Sequence, residues 1–152
     1  MIRRYLGVVL VSMMFSATAL AAEGVIVVKS KYDVATTADN LANALESKGL
    51  TVFARVDHAA GAAKVGDSLP PTQLVIFGNP KVGTPLMKCQ RSVGIDLPQK
   101  ALVWEDEEGN VWLGYNDPDY LSERHELQAC AAVIEKVKNV LANFSAVATG
   151  TQ

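Results

Sequence analysis

Short apolar runs rich in β-branched residues alternate along the chain with longer segments of helical period. Runs of four to eight such residues bounded by turn residues predict strands. The predicted strands are residues 24–31, 51–58, 73–77, 100–105 and 111–115, the last two joined as a hairpin by the sequence DEEGN. In the second strand we expect Val52, Ala54 and Val56 on one side of the sheet, because side chains alternate along a strand.

Two helices are predicted between these strands. The first follows an N-cap at Thr36 or Thr37 and ends before Gly49, which suits the left-handed conformation that commonly follows a helix. The second begins at Thr84 with Pro85 at its first position, a favoured N-cap and N1 pair. Its apolar residues at helical spacing are Leu86, Cys89 and Val93.

A third and longest helix is predicted from the Asp117–Pro118 cap to about Asn143. One apolar stripe of helical period runs along it, formed by Leu127, Cys130, Ile134, Val137, Leu141 and Phe144. The glycine- and proline-rich residues 59–71 predict a loop, and the small, polar residues 145–152 predict a disordered tail.

The resulting order is β-α-β-β-α-β-β-α. Such an order predicts an α+β fold with a mainly antiparallel sheet and its helices gathered on one face. Residues 22–144 are expected to form a single domain, which is an ordinary length for one hydrophobic core.

The first 21 residues have the pattern of a cleaved signal peptide. Arg3 and Arg4 precede an apolar segment that is shorter than the roughly 20 residues of a membrane span, and Ala19 and Ala21 give a cleavage signal. We therefore predict a periplasmic protein that is cleaved near Ala21 and is not inserted in the membrane. Loss of the two arginines takes the net charge from −2 to −4, which argues against nucleic acid as a partner.

Cys89 and Cys130 are the only cysteines in the sequence. In an oxidising compartment a disulfide between them is the default expectation. Both lie on apolar helix stripes, so both are expected to be buried. A redox pair, or a soft-metal or haem site that adds Met87 and His125, is the alternative. The sequence contains no C-x-x-C or C-x-x-C-H motif.

Several short motifs resemble domain-of-unknown-function family 302. The segments that carry the resemblance are FGNPKVGTPLM at residues 77–87 and GIDLPQKALVWEDEEGNVWLGYNDPDYLSERH at residues 94–125. It extends over most of the chain, from Gly24 to Phe144. The resemblance implies a TATA-binding-protein-like fold, a helix-wrapped antiparallel sheet that often pairs as a homodimer. The family has no agreed activity, so the resemblance implies no mechanism.

The segment GNPKVGTP has the outline of a phosphate-binding loop. Gly78 and Gly83 have the correct spacing, but Thr84 and Pro85 stand where such a loop needs lysine and then serine or threonine. Nucleotide hydrolysis is therefore excluded. Lys81 is a candidate anion contact at a helix N-terminus, and Asn79 and Thr84 are further candidate ligand contacts. Turn and capping chemistry explains the same residues. A small-molecule hydrolase at this segment is a third hypothesis.

The remaining polar candidates are weaker. His125 begins HELQA, which lacks the second histidine of a zinc-protease helix, and it is interpreted as a surface histidine or as a partner of Asp117 in proton transfer. The acidic residues 105–108 lack the alternation of a calcium loop and are typical of a solvated hairpin tip. We predict no metal site and no cofactor.

Aromatic residues cluster around the predicted hairpin, namely Trp104, Trp112, Tyr115 and Tyr120. If they lie on a sheet face that no helix covers, they offer a surface for an apolar ligand or a second subunit. Packing in the core explains them equally well. Since no complete catalytic set is present, the leading hypothesis is a non-enzymatic module that binds a small ligand or a periplasmic protein and acts as a homodimer.

Overall fold

The computed structural model describes residues 22–151. Five strands and five α-helices follow one another along the chain. They are β1 Val25–Lys29, α1 Val34–Ser47, β2 Thr51–Asp57, α2 His58–Lys64, β3 Thr72–Gly78, α3 Pro80–Cys89, β4 Gln99–Glu105, β5 Val111–Asn116, α4 Pro118–Arg124 and α5 Ala131–Thr149. Short 3₁₀ turns lie at Arg91–Ile95 and Gln128–Cys130. The peptide bond between Leu97 and Pro98 is cis.

The five strands form one antiparallel sheet in the order β1-β5-β4-β3-β2. Helices α1 and α5 contact each other and pack on the sheet. The main core lies between these two helices and the alternate strand residues that face them, such as Val75, Val103 and Leu113, all at most 1% exposed. The predicted α+β class, the antiparallel sheet and the β4–β5 hairpin are thus confirmed.

A β-bulge changes the expected alternation in β2. Val52 pairs with Phe77, but Ala54 pairs with Ile76, so the register shifts at Phe53. Because a bulge inserts one extra residue, the side chains before and after it point to opposite faces. Val52 therefore packs against the main core, whereas Ala54 lies on the opposite face. The prediction of one shared side for Val52, Ala54 and Val56 was wrong.

Two helices begin earlier than the sequence predicted. Asp33, and not Thr36 or Thr37, caps α1, since its side chain accepts a hydrogen bond from the Thr36 backbone N–H at 2.7 Å. Asn79 caps α3, with Pro80 at the first helical position, so Thr84 and Pro85 lie inside the helix. Asn-Pro is as suitable a start as Thr-Pro, and the earlier one is used.

Residues 58–64 form α2, which begins at the last residue of the predicted second strand and continues into the predicted loop. The Asp57 side chain accepts from the Ala60 N–H at 2.9 Å and caps this helix. Four of its seven residues are alanine, the strongest helix former. The loop prediction gave too much weight to Gly61 and to the glycine and prolines that follow.

The predicted long C-terminal helix is divided into α4 and α5. Glu126 adopts a left-handed conformation with φ 54°, and the Leu127 N–H turns back to the Ser122 carbonyl. This break redirects the chain, yet the predicted apolar stripe from Leu127 to Phe144 is buried along its length. The periodicity identified the buried residues correctly, although it could not show that the backbone turns between them.

The C-terminal residues are helical. Helix α5 runs to Thr149 and ends at Gly150 in the left-handed conformation. Ala148 and Thr149 are fully buried, and the Thr149 carbonyl accepts from the Lys31 N–H at 3.0 Å. The prediction of a disordered tail is wrong for residues 145–151, because small residues allow this last turn to pack closely on the chain that follows β1.

The predicted signal peptide, residues 1–21, lies outside the described residues, and so does Gln152. Within residues 22–151, no helix has both the length and the apolar character needed to cross a membrane.

Candidate functional site

The N-terminus of α3 does not have free donors for an anion. Asn79 accepts hydrogen bonds from all three backbone N–H groups of the first turn. Its side chain accepts from the Lys81 N–H at 2.9 Å, and its carbonyl accepts from the N–H groups of Val82 and Gly83. A phosphate-binding loop needs those same N–H groups to point at the ligand. The segment that resembled such a loop is therefore a strand end followed directly by a capped helix.

A cleft of about 270 Å³ lies beside the start of α3. Asn79 and Thr84, two of the predicted ligand contacts, line it, whereas Lys81 is exposed and does not. Most of the wall is apolar and comes from β2, α3, the segment between α3 and β4, and α5. The residues that form this wall include Phe53, Val82, Leu86, Met87, Leu97 and Val137. The motif GNPKVGTP indicates a candidate site at α3, but no local pattern in the sequence indicates the walls from β2, from the segment before β4 and from α5.

The second candidate surface is the sheet face opposite α1 and α5, here called the open face. Strand register places one apolar residue from each strand in a row across it. That row is Val27, Gly114, Leu102, Leu74 and Val56. Apart from Gly114, these side chains are only partly buried or exposed, in contrast to the fully buried residues on the other face. These residues form an apolar surface that is largely exposed to solvent.

Trp104 and Trp112 are cross-strand partners on the open face. The Trp104 ring lies over Gly114, where an added Cβ would come within 3.0 Å of Cζ3. The Trp112 indole N–H donates to Asp106 Oδ2 at 2.7 Å. That hydrogen bond, aided by the Asn110 and Glu108 N–H groups, lowers the pKa of the Asp106 carboxyl. The Lys29 ammonium lies 5.6 Å from the Trp112 ring centre.

The other predicted aromatic and acidic candidates are not part of this surface. The Tyr115 side chain faces the helices and is 5% exposed, and burial raises its pKa. Tyr120 packs against Gly24. The Asp117 side chain caps α4 by accepting a hydrogen bond from the Asp119 N–H at 2.9 Å. Packing and helix capping therefore account for the two tyrosines and Asp117.

His125 is buried, contrary to its interpretation as a surface residue, and Asp117 is not its partner. Its Nε2 lies 2.6 Å from Asp96 Oδ2, and its Nδ1 lies 3.0 Å from Ser92 Oγ. Because a carboxylate only accepts, the Nε2–H donates to Asp96. Arg124 also approaches Asp96, at 3.5 Å. No motif spacing connects these residues, since 29 positions separate Asp96 from His125.

The Ser92–His125–Asp96 chain has the residue types of a hydrolase triad. A hydrolase also needs oxyanion donors and a cleft beside the nucleophile. None of the three residues lines the α3 cleft. His125 directly follows α4 and its backbone N–H bonds to the Leu121 carbonyl. We therefore interpret Ser92, His125 and Asp96 as a hydrogen-bonded network that holds the 3₁₀ turn after α3 against the end of α4.

Cys89 and Cys130 lie at disulfide distance, with Cα atoms 6.4 Å apart. Cys130 is buried in a small second core with Leu86, Leu127 and Ile134. Cys89, at the last residue of α3, is exposed, so the expectation that both are buried was wrong. The alternative metal or haem site requires these two cysteines and His125 as ligands. In the structure the cysteines are paired with each other, and the His125 side chain is hydrogen-bonded to Asp96. Residues 22–151 contain no group of three or more metal-ligating His, Cys, Asp or Glu side chains.

A profile of the family described as "Domain of unknown function DUF302" matches residues 26–144. The chain belongs to the DUF302 family. The crystal structure of an uncharacterized conserved protein DUF302 from Bacillus stearothermophilus has the same fold, with a TM-score of 0.73 over 81% of this chain and 96% of that chain. The two sequences are 19% identical, so this likeness concerns the fold alone.

Relatives of higher identity to this DUF302 protein occur in Brucella. Proteins named "Fluoride-specific ion channel FluC 1" from Brucella suis and Brucella abortus are each 52% identical to it over 104 residues, or 68% of this chain. The matched segment is 41% and 38% of their respective lengths. This DUF302 chain thus spans about two fifths of the curated relatives that it matches.

Proposed function

We propose that this DUF302 protein is exported to the periplasm and acts there as a non-enzymatic interaction module, in which two copies pack through the open face of the sheet. The observation that carries the proposal is the row of apolar residues across all five strands, with Trp104 and Trp112 beside it. Export is supported by the basic, apolar and small-residue pattern of residues 1–21.

The dimensions of the open face suit a second copy. Five strands spaced by about 4.8 Å, each five to seven residues long, present a surface of roughly 24 by 20 Å. Stable interfaces bury about 800 Å² of accessible surface on each partner, so the dimer proposed here would have to cover most of this face. Trp104 and Trp112 lie beside the apolar row, and large aromatic residues contribute strongly to the affinity of such contacts.

The charges at the two ends of β4 favour one orientation of the pair. β4 is the central strand, and its open-face residues run from Lys100 at one end to Trp104, beyond which lies the acidic hairpin tip at Asp106. When two sheets face each other about a two-fold axis perpendicular to β4, the two copies of β4 run in opposite directions. The lysine end of each copy then approaches the acidic tip of the other, and Leu102 lies near the axis.

A charge at the centre of the open face should separate the two copies. In the Leu102→Glu protein we expect the dissociation constant of the dimer to rise at least 30-fold, about 2 kcal/mol, because the carboxylate would have to be desolvated without a partner. Sedimentation velocity across a concentration series measures this. Leu102 is partly exposed in the single chain, so thermal unfolding of the variant should show an intact fold.

The matched control is Val140→Glu, which adds the same charge on the exposed surface of α5, at a position 43% exposed and on the helix side of the sheet. It should leave the association unchanged. A parent protein that is monomeric at about 100 μM, well above the micromolar dissociation constants of weak specific complexes, would contradict the homodimer. Equal association of parent and Leu102→Glu would place the interface elsewhere.

Association with a fluoride channel is a second candidate function, favoured by the Brucella relatives. In those proteins a segment 52% identical to this chain belongs to a longer polypeptide that is named a fluoride-specific ion channel. Domains joined in one chain in some organisms can act as separate partners in others. On this proposal the DUF302 protein would bind the part of such a channel that this chain does not match.

Purified components test this association directly. The Brucella suis protein, shortened to remove the segment that matches this chain, would be mixed in detergent with the DUF302 protein. Co-elution at micromolar concentration, lost in the Leu102→Glu protein and kept in Val140→Glu, would support binding through the open face. Separate elution of the two parent proteins would contradict the second candidate.

A further inference from the structure

A cavity of about 420 Å³, here called the hollow, lies on the open face over strands β1, β5, β4 and β3. Trp104 forms one wall of it. The Trp104 ring reaches across Gly114, where an added Cβ would lie 3.0 Å from Cζ3 of the ring and 3.4 Å from Cγ1 of Val25. The absence of a side chain at Gly114 therefore makes room for the ring. The other apolar side chains that line the hollow include Val25, Val27, Leu74 and Leu102.

One end of the hollow is polar, because Lys100 and Asn116 line it there. These two residues are neighbours on β4 and β5, since the adjacent positions Ala101 and Tyr115 are paired in the antiparallel register. Residues directly opposite each other on antiparallel strands have Cβ atoms about 4.5–5.5 Å apart. The Lys100 ammonium and the Asn116 amide can therefore both donate to one group of a bound molecule.

The Lys100 ammonium is held in position without a counter-ion. It donates to the backbone carbonyls of Asp96 and Pro98, both at 3.1 Å, and an ammonium has three N–H donors. Among residues 22–151, Lys100 forms no salt bridge. None of the described residues that line the hollow is acidic. One donor of a partly buried cation is thus left for an anion, at the edge of an apolar surface.

We propose that the hollow binds a small aromatic carboxylate, with its rings on the apolar surface beside Trp104 and its carboxylate at Lys100 and Asn116. The volume of about 420 Å³ suits a molecule of two fused rings. The apolar surface would supply most of the affinity. The charged hydrogen bond from Lys100 would select the acid over a neutral molecule of the same shape.

The proposal does not rest on the dimer, because the hollow belongs to a single copy of the chain. The two proposals make use of the same charge complementarity. In the proposed dimer, the acidic hairpin tip of the second copy would take the place of the carboxylate near Lys100. Pairing of two open faces would therefore compete with the ligand.

The anion 2-naphthoate and the amide 2-naphthamide form a matched pair of probes for the hollow. They have the same two rings and almost the same shape, but only the carboxylate is charged. We expect 2-naphthoate to bind about tenfold more tightly, because hydrogen bonds to a charged acceptor are roughly twice as strong as neutral ones. Chemical shifts in a ¹⁵N-labelled protein give both affinities and the location. The Trp104 indole N–H and the Gly114 amide report on the hollow, and the Gly83 amide reports on the α3 cleft.

A matched pair of variants tests the role of the ammonium. Lys100→Met keeps an unbranched side chain, and it should lower the affinity for 2-naphthoate about tenfold while the affinity for 2-naphthamide stays unchanged. Lys29→Met removes the same charge at the end of β1, where the ammonium lies beside Trp112 and outside the hollow. It should change neither affinity. The comparison of the two probes in the parent protein tests the selection even if Lys100→Met is unstable.

Sedimentation velocity of the same samples separates this proposal from the dimer. If the parent protein is dimeric through the open face, 2-naphthoate should raise the fraction of monomer more than 2-naphthamide does. If the parent protein is monomeric, the chemical shifts measure binding directly, and only the dimer is contradicted.

Three outcomes would overturn the proposal. Equal affinity of the two probes for the parent protein would show that the hollow does not select a carboxylate. Equal loss of 2-naphthoate affinity in Lys100→Met and Lys29→Met would show that the anion responds only to overall charge. Shifts at Gly83 without shifts at Trp104 and Gly114, or no shift at millimolar probe, would show that the hollow is not the binding site.

Discussion

Reducing the Cys89–Cys130 pair should lower the free energy of unfolding by about 3–4 kcal/mol. The two residues are 41 positions apart in sequence, and cross-linking a loop of that length restricts the unfolded chain by about this much in the chain-entropy treatment. The link joins the end of α3 to the beginning of α5, across the second core around Leu86 and Leu127. Urea unfolding of the mature protein with and without reductant measures the difference.

The control is the double variant Cys89→Ala/Cys130→Ala, whose unfolding should not respond to reductant. Thiol counting on protein exported to an oxidising compartment completes the test, since the native protein should contain no titratable thiol. Two titrating thiols together with an unchanged unfolding midpoint would contradict the disulfide. That result would favour the hypotheses in which the two cysteines act as a redox pair or as metal ligands.

Ala148→Glu should destabilise the protein by about 3 kcal/mol or more. Ala148 is 0% exposed and belongs to the main core with Leu141 and Phe144. A carboxylate at this position would be buried among the apolar residues of that cluster, and an uncompensated buried charge costs about 3–5 kcal/mol. The size of the effect measures how firmly the last turns of α5 are packed, in a segment whose composition predicts disorder.

Ala142→Glu is the matched control, because it introduces the same residue on the exposed side of the same helix. Its effect should stay within about 0.5 kcal/mol, as for most surface substitutions. Both values come from the same thermal or urea unfolding series. Small and equal effects at the two positions would mean that residues 145–149 are not packed in solution. Such a result would support the prediction of a disordered tail.

The candidate sites differ in how far the sequence could predict them. Trp104 and Trp112 were identified from a local cluster in the sequence, and the register between β4 and β5 then shows that they share one face. By contrast, the partner of His125 could not be predicted, because Asp96 and Ser92 reach it only when the turn after α3 meets the end of α4. The sequence gave no signal for Gln99 either, because its place in the lining of the α3 cleft depends on where β4 lies relative to α3.

The order of the strands and main helices, the hairpin and the buried stripe from Leu127 to Phe144 follow from the sequence, because they depend on the spacing of apolar residues and on turn and cap chemistry within a few positions. The points at which helices begin and break, such as the turn at Glu126, and the choice between two equivalent caps follow from the tertiary fold. The tertiary fold also decides that Phe53, Gln99 and the start of α3 enclose one cleft. Those features depend on contacts between distant segments, and neither local propensity nor periodicity carries information about such contacts.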